Sequence, residues 1–152
     1  MAARKLRKYV LDTNCFIDAA HDADARDALE AFSLQAAPGL FLSSVVAAEL
    51  RAGAGKARAT LERLVLEPYI RRGRVVTPSA QSWAMLGTTL ATLAERDGLV
   101  LAQTRRRFIF DILIADSCRE AGATLVSANA RDLERINRVF TFALVAPYPK
   151  RP

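Results

Sequence analysis

The chain of 152 residues is long enough for one domain with its own buried core, and 51% of its residues are hydrophobic. No apolar run approaches the roughly 20 residues of a membrane span, and no long apolar segment follows the basic N-terminus as in a secretory signal. Lys and Arg outnumber Asp and Glu by 22 to 16, which favours a polyanionic partner such as nucleic acid. From its length we expect a single domain over residues 1–152. The two cysteines lack metal-binding spacing and are too few for a disulfide framework, so we expect the reducing cytoplasm.

Short apolar runs alternate along the chain with segments of helical periodicity. Buried strands are predicted at residues 9–11, 40–42, 75–76 and 123–126, with a last apolar stretch at 139–145. Helical segments are predicted at residues 14–36, 45–53, 56–70, 80–96 and 108–121, with an irregular link at 99–107. Trp83 is expected to pack in the core. Strands that alternate with helices predict a parallel α/β sheet with helices on both faces.

The most informative stretch runs from Tyr9 to Asn14, where an apolar run ends in Asp12. Asp12 would lie at the carboxyl end of the first strand, where open α/β sheets bind their ligands. The alternative is that Asp12 only caps the next helix, because Asp, Thr and Asn are all good N-cap residues. For this stretch alone, capping is the stronger interpretation. Acidic residues later in the chain favour the ligand site.

Three further places combine acidic or amide side chains with apolar surroundings. Glu49 shares a helix face with small apolar residues, although a glutamate at such an edge can also reach solvent. Asp111 interrupts an apolar helical run, and Asn129 and Asp132 follow the fourth strand. Carboxylates that converge at one sheet edge repel one another, and a hard divalent cation relieves that repulsion. Oxygen ligands suit Mg²⁺ or Mn²⁺ rather than zinc.

Two features near Asp111 are harder to assign. Asp116 lies five residues further on, or ~140° around a helix, so both carboxylates cannot easily face one ion. We therefore expect Asp116 to support the site or to lie at the surface. An arginine triplet precedes Asp111 and consists of Arg105, Arg106 and Arg107. These arginines either hold substrate phosphates or form a solvated basic turn.

Taken together, four segments resemble the motifs of the PIN-domain ribonucleases, and within them most of all the VapC-type toxins of bacterial toxin–antitoxin pairs. These segments are residues 10–14, 48–50, 111–115 and 125–133. The resemblance extends from Tyr9 to Val145. It implies a three-layer α/β/α sandwich with a mainly parallel sheet and a Mg²⁺- or Mn²⁺-dependent endoribonuclease acting on RNA. It also implies a homodimer that a cognate antitoxin protein silences.

The resemblance assigns roles by matching position. Asp12, Glu49 and Asp111 would be the catalytic, metal-binding acids. The fourth position stays open, because Asn129 stands where relatives often carry Asp, while Asp132 three residues later can supply the charge. Polar neighbours would orient the carboxylates, namely Thr13, Asn14 and Ser127.

Two other functions are compatible with parts of this pattern. A PIN-like domain that binds RNA or protein without cutting is the main alternative, although acids at the main positions argue against it. A phosphotransferase with Asp12 as its nucleophile is the second alternative. Such enzymes usually carry another Asp two residues later, where this chain has Asn14.

Overall fold

The structure is a computed structural model that describes residues 5–150. Its centre is a five-stranded sheet in which every pair of neighbouring strands is parallel, in the order β3-β2-β1-β4-β5. The strands are β1 (Lys8–Leu11), β2 (Leu40–Ser43), β3 (Val75–Val76), β4 (Ala123–Val126) and β5 (Leu144–Val145). The predicted parallel α/β sheet is therefore confirmed. The single domain predicted over residues 1–152 includes residues 1–4 and 151–152, which lie outside the described part.

Eight α-helices connect and cover the strands within residues 5–150. They are α1 (Thr13–His21), α2 (Ala23–Ala36), α3 (Ser44–Gly53), α4 (Arg58–Leu61), α5 (Glu67–Arg71), α6 (Ala80–Asp97), α7 (Arg106–Ala121) and α8 (Ala130–Asn137). A π-helical turn, Glu62–Leu66, joins α4 to α5, and short 3₁₀ turns cover Gly55–Ala57 and Leu101–Gln103. None of the described helices combines the length and the hydropathy that a membrane span requires.

Two boundaries differ from the sequence prediction. The helical region predicted from residue 14 to residue 36 is two helices, because the Asp22 side chain accepts a hydrogen bond from the Ala25 N–H and starts a new helix there. The predicted irregular link ends earlier than expected, since α7 already begins at Arg106. Two residues of the arginine triplet therefore lie on a helix and point in defined directions.

Alternate residues of the central strands enter two separate hydrophobic clusters, as the period of a β-strand requires. Val10 of β1 and Leu125 of β4 belong to the larger cluster, which includes the buried residues of α7. Leu11 and Val126, their immediate neighbours, belong to a smaller cluster with Phe32 of α2. The sheet is thus covered on both faces, and the predicted three-layer α/β/α sandwich is confirmed.

The prediction that Trp83 packs in the core is wrong, since 58% of this residue is exposed. The buried residues of α6 are Ser82, Leu86, Thr89 and Leu93. Ser82, the residue before Trp83, is fully buried, and the Trp83 position lies about 100° away from it around the helix axis. The indole is therefore on the solvent side of α6.

The order of the strands places the centre of the molecule at a topological switch point. From β1 the chain first builds the sheet towards β2 and β3, and it later returns to the other side of β1 with β4 and β5. Asp12 follows β1 and Ser127 follows β4, and these two strands are hydrogen-bonded neighbours. In open α/β sheets, the crevice between two such strand ends is the usual ligand site.

Candidate active site

Asp12 is 1% exposed, and both of its carboxylate oxygens accept hydrogen bonds. Oδ1 accepts from the Thr13 backbone N–H at 2.8 Å and so caps α1. Oδ2 accepts from the Ser127 hydroxyl at 2.6 Å and from the Asn14 side-chain amide at 3.1 Å. The capping interpretation is therefore correct but incomplete. One oxygen serves the helix, and the other faces a residue that follows a different strand.

Asn14 and Ser127 hold the ends of β1 and β4 together. The Asn14 amide nitrogen also donates to the Ser127 hydroxyl at 3.0 Å, and the Asn14 carbonyl oxygen accepts from the Ala128 N–H at 3.1 Å. The Ser127 hydroxyl in turn accepts from the Asn129 N–H at 3.0 Å. Because each polar group in this network has a partner, the carboxylate of Asp12 has a defined orientation.

Glu49 is joined to this network from the opposite side of the crevice. It lies on α3, which begins after Ser43 caps it with hydrogen bonds to the Val45 and Val46 N–H groups. The Thr13 hydroxyl donates a short hydrogen bond to Glu49 Oε2. Glu49 is half-buried, so it does not extend freely into solvent.

Asp111 on α7 is 2% exposed, and its Oδ2 accepts a hydrogen bond from the Asn129 side-chain amide at 3.1 Å. Burial, followed by the negative charge of Asp12, raises the pKa of Asp111 to about 8, and Glu49 and Asp132 add smaller effects in the same direction. The positive charge of Arg107 opposes this shift. Asp111 therefore lies within electrostatic reach of every other predicted acid.

Asn129 and Asp132 occupy different places in this arrangement. Asn129 contacts the cluster as a hydrogen-bond donor, whereas Asp132 lies half-buried in the first turn of α8 and carries a charge. Within residues 5–150, no three His, Cys, Asp or Glu side chains form a group that could hold a metal ion. Neutral groups instead donate hydrogen bonds to the carboxylates, Ser127 to Asp12 and Asn129 to Asp111.

Asp116 is not part of this cluster. It is fully buried, which excludes the surface alternative, and its hydrogen bonds come from the Arg119 guanidinium, the shorter at 2.6 Å. Among the hydrogen bonds of the described residues, none joins Asp116 to the predicted acids. The expected supporting role of Asp116 at the site therefore lacks any direct contact.

One feature of the site could not be recognised in the sequence. An apolar groove of about 1030 Å³ lies between α1, α2, α3 and the helical segment around α4 and α5, and Glu49 forms part of its wall. Its rim carries large hydrophobic side chains that are exposed to solvent, namely Ile17 at 43%, Leu34 at 82% and Leu64 at 59%. On amphipathic helices, such residues are indistinguishable by sequence from a core stripe.

The sequence and the fold both have recognisable relatives. The chain is similar to VapBC2 from Rickettsia felis bound to a DNA fragment from their promoter, with 26% identity and a TM-score of 0.59 over 91% of this chain and 97% of that one. It is also similar in fold to DNA-bound VapBC from Salmonella typhimurium, with 24% identity, a TM-score of 0.68 and coverage of 93% and 99%. A toxin–antitoxin complex from Klebsiella pneumoniae shares 20% identity, with a TM-score of 0.58 and coverage of 94% and 100%.

No curated protein matches the chain significantly. The sequence model of the PIN domain, however, matches residues 9–139, which is most of the chain. This match includes the segments that follow β1 and β4 and the acidic positions on α3 and α7. The chain belongs to the PIN domain family.

Proposed function

We propose that this protein is a Mg²⁺- or Mn²⁺-dependent endoribonuclease that hydrolyses RNA phosphodiester bonds and acts as the toxin of a toxin–antitoxin pair. The observation that carries the proposal is that Asp12, Glu49 and Asp132 all act electrostatically on the buried Asp111, beside the carboxyl ends of β1 and β4. Membership of the PIN family and similarity to a toxin–antitoxin complex support it. The excess of basic residues suits a polyanionic substrate.

The ligand atoms of the site suit a hard divalent cation, although their arrangement within residues 5–150 is not that of a formed metal site. These ligand atoms are carboxylate oxygens, which Mg²⁺ and Mn²⁺ prefer, and three other carboxylates add negative charge around Asp111. When bound, such an ion supplies Lewis acidity towards the phosphate and the attacking water. Glu49 and Asp132 are only half-buried, so we propose that their side chains turn towards Asp12 and Asp111 when an ion enters.

We assign the residues of the site different roles in holding the ion. Asp12 would be the central ligand of the ion, and Glu49, Asp111 and Asp132 would complete the set of acids. Asn129 stands at the fourth acidic position of the family pattern, but its amide donates to Asp111. We therefore assign it to orienting that carboxylate, with metal contact through its amide oxygen as the alternative. Three further residues orient Asp12 and Glu49, namely Thr13, Asn14 and Ser127.

Cleavage of a mixed-sequence RNA by the purified protein tests this function. We expect cleavage in Mg²⁺ or Mn²⁺ and none in EDTA, because the acids alone cannot neutralise a phosphate. A PIN-like binding protein would instead retain RNA on a filter without cutting it. Cleavage that continues undiminished in EDTA would exclude the metal-dependent mechanism, and transfer of phosphate to Asp12 would favour the phosphotransferase.

The apolar groove indicates how an antitoxin would bind. The exposed apolar side chains are complementary to a partner segment with an apolar face. Arg26, Arg72 and Arg74 on the groove wall favour acidic residues beside that face. Because Glu49 lines the groove and also bonds to Thr13, a segment in the groove reaches the acidic cluster directly. We propose that the partner inserts a cationic side chain there and so blocks the metal site.

A charge placed in the groove should separate toxicity from its neutralisation. We expect that expression of the protein slows growth, and that the small protein encoded beside it restores growth. Leu34→Glu should keep the toxicity but lose the rescue, because a carboxylate in the groove must be desolvated when the partner binds. Growth rate with and without the neighbouring protein is the measurement.

The matched control is Leu6→Glu, which changes another exposed leucine that is 52% exposed and does not line the groove. Rescue of the Leu6 variant should equal that of the unchanged protein. Full rescue of Leu34→Glu would place the partner elsewhere. Harmless expression of a chain with proven nuclease activity would indicate an RNA-processing role outside any toxin pair.

Two other expectations remain predictions. Homodimer formation follows from the family resemblance. A cytoplasmic location suits Cys15 and Cys118, which are both free and buried, as a reducing compartment would leave them.

A further inference from the structure

The three arginines before Asp111 differ in where they stand on the structure. Arg105 precedes α7 in an extended conformation, whereas Arg106 and Arg107 lie in the first turn of that helix. Arg107 is four residues before Asp111, so the two side chains lie within about 40° of each other around the helix axis. Arg107 is therefore the member of the triplet that shares a helix face with the acidic cluster.

Arg106 points in a different direction, about 100° away from Arg107 around the helix axis. Its guanidinium lies over the ring of Phe110, 5.9 Å from the ring centre. On α8, Arg135 is also engaged, since it lies over the ring of Phe108 at 5.5 Å and pairs with Asp97 at 3.3 Å. Both of these arginines thus have contacts away from the acidic cluster.

Arg107 has no comparable partner. It is exposed, and among the salt bridges of residues 5–150 it takes part in none, although four other arginines each pair with a carboxylate. It is nevertheless near enough to lower the pKa of Asp111 against the other influences on that group. Arg107 thus combines a free guanidinium with a position beside the proposed site of bond cleavage.

Helix stability does not explain the position of Arg107. The first turn of α7 carries Arg106 and Arg107 and no acidic residue, although the positive end of a helix dipole favours anions there. Positive charge at this end costs free energy in the isolated protein. An anion held by Arg107 would offset that cost, and a guanidinium can grip two phosphate oxygens at once.

We propose that Arg107 positions the RNA by binding a backbone phosphate beside the carboxylate cluster. The inference rests on the proposed ribonuclease function. It assigns to Arg107 a positioning role, in which one guanidinium holds the strand while the acids act on the neighbouring bond.

The first test measures RNA binding without cleavage. In an Asp12→Asn background with Mg²⁺, fluorescence anisotropy of a labelled single-stranded RNA of mixed sequence gives Kd at several KCl concentrations. Arg107→Ala should raise Kd roughly tenfold. It should also reduce the slope of log Kd against log salt by about 0.7, the contribution of one phosphate contact to a single strand. Arg107→Lys should keep the slope and lose only part of the affinity.

Two variants provide comparison. Arg96→Ala removes another exposed arginine, on α6, to which no role is assigned, and should change neither Kd nor slope. Arg106→Ala should lose clearly less affinity than Arg107→Ala, because its guanidinium is held over Phe110. Equal losses for Arg106→Ala and Arg107→Ala would overturn the assignment to Arg107.

The second test uses cleavage to exclude a purely internal role. If Arg107 only offset the charge of Asp111, Arg107→Ala would leave the salt slope unchanged and would lower kcat without raising KM. We expect instead a higher KM, with a smaller change in kcat. RNA that the unchanged protein does not cleave would reject the ribonuclease function itself. Normal cleavage by Arg107→Ala would reject only the role of Arg107.

Discussion

Asp12→Asn should reduce RNA cleavage by at least about a hundredfold, which is the size of loss expected when one electrostatic element of an active site is removed. Asp12 lies at the centre of the cluster, and its charge is the largest carboxylate influence on Asp111. The fold should survive, because Asn caps a helix as well as Asp and the change relieves repulsion. Initial cleavage rates and thermal unfolding of the same preparation measure both effects.

Asp116→Asn is the matched control for this experiment. Asp116 is equally buried, but its hydrogen bonds go to Arg119 rather than to any predicted acid. We expect this variant to lose stability while its activity per folded molecule stays within a few-fold of normal. An inactive but folded Asp116→Asn, together with an active Asp111→Asn, would show that α7 presents the opposite carboxylate to the substrate.

Much of the fold follows from local patterns in the sequence. Tyr9 to Leu11 is a short apolar run after a basic segment, which favours a buried strand of a parallel sheet, and β1 includes these residues. Gly122 ends α7 in the left-handed conformation, with φ of 65°, as expected for a glycine just past a helix. Such signals are strong because one or two residues determine the backbone.

Properties that depend on neighbouring elements were harder to predict. Trp83 and Ser82 are neighbours on α6, and apolar periodicity favours Trp83 for the core although Ser82 is the buried one. The segment predicted as one helix at residues 56–70 is interrupted by a π-helical turn, which apolar periodicity does not reveal. In each case, apolar periodicity alone does not determine the outcome.

Some features of the candidate site could likewise be predicted from the sequence, and others could not. A meeting of Asp12 with Ser127 could be expected, since both follow strands and parallel strands end at one edge. The donor role of Asn129 towards Asp111 could not, because it depends on which end of an amide faces the carboxylate. The groove beside Glu49 also escaped prediction, since only the assembled helices show which apolar side chains stay exposed.

Without divalent cations, the protein should lose stability as pH rises from about 4 to about 8. In the folded state, burial and Asp12 raise the pKa of Asp111 from 3.8 to about 8, so the folded protein holds a proton that the unfolded chain has released. The associated stability is complete below pH 4 and is lost as pH approaches 8, at no more than about 1.4 kcal/mol per pH unit. Urea unfolding in EDTA at several pH values measures this slope.

Mg²⁺ should oppose this loss of stability at high pH, because it binds the ionised cluster and competes with the proton on Asp111. At a hundredfold excess over Kd, an ion bound only to the folded state adds about 2.7 kcal/mol, and this gain should be larger at pH 8 than at pH 5.5. Asp111→Asn isolates the effect, since it removes the titrating group and leaves the other acids in place. Its stability in EDTA should depend less on pH than that of the unchanged protein. Identical pH slopes for the two proteins would mean that Asp111 is already ionised in the folded state.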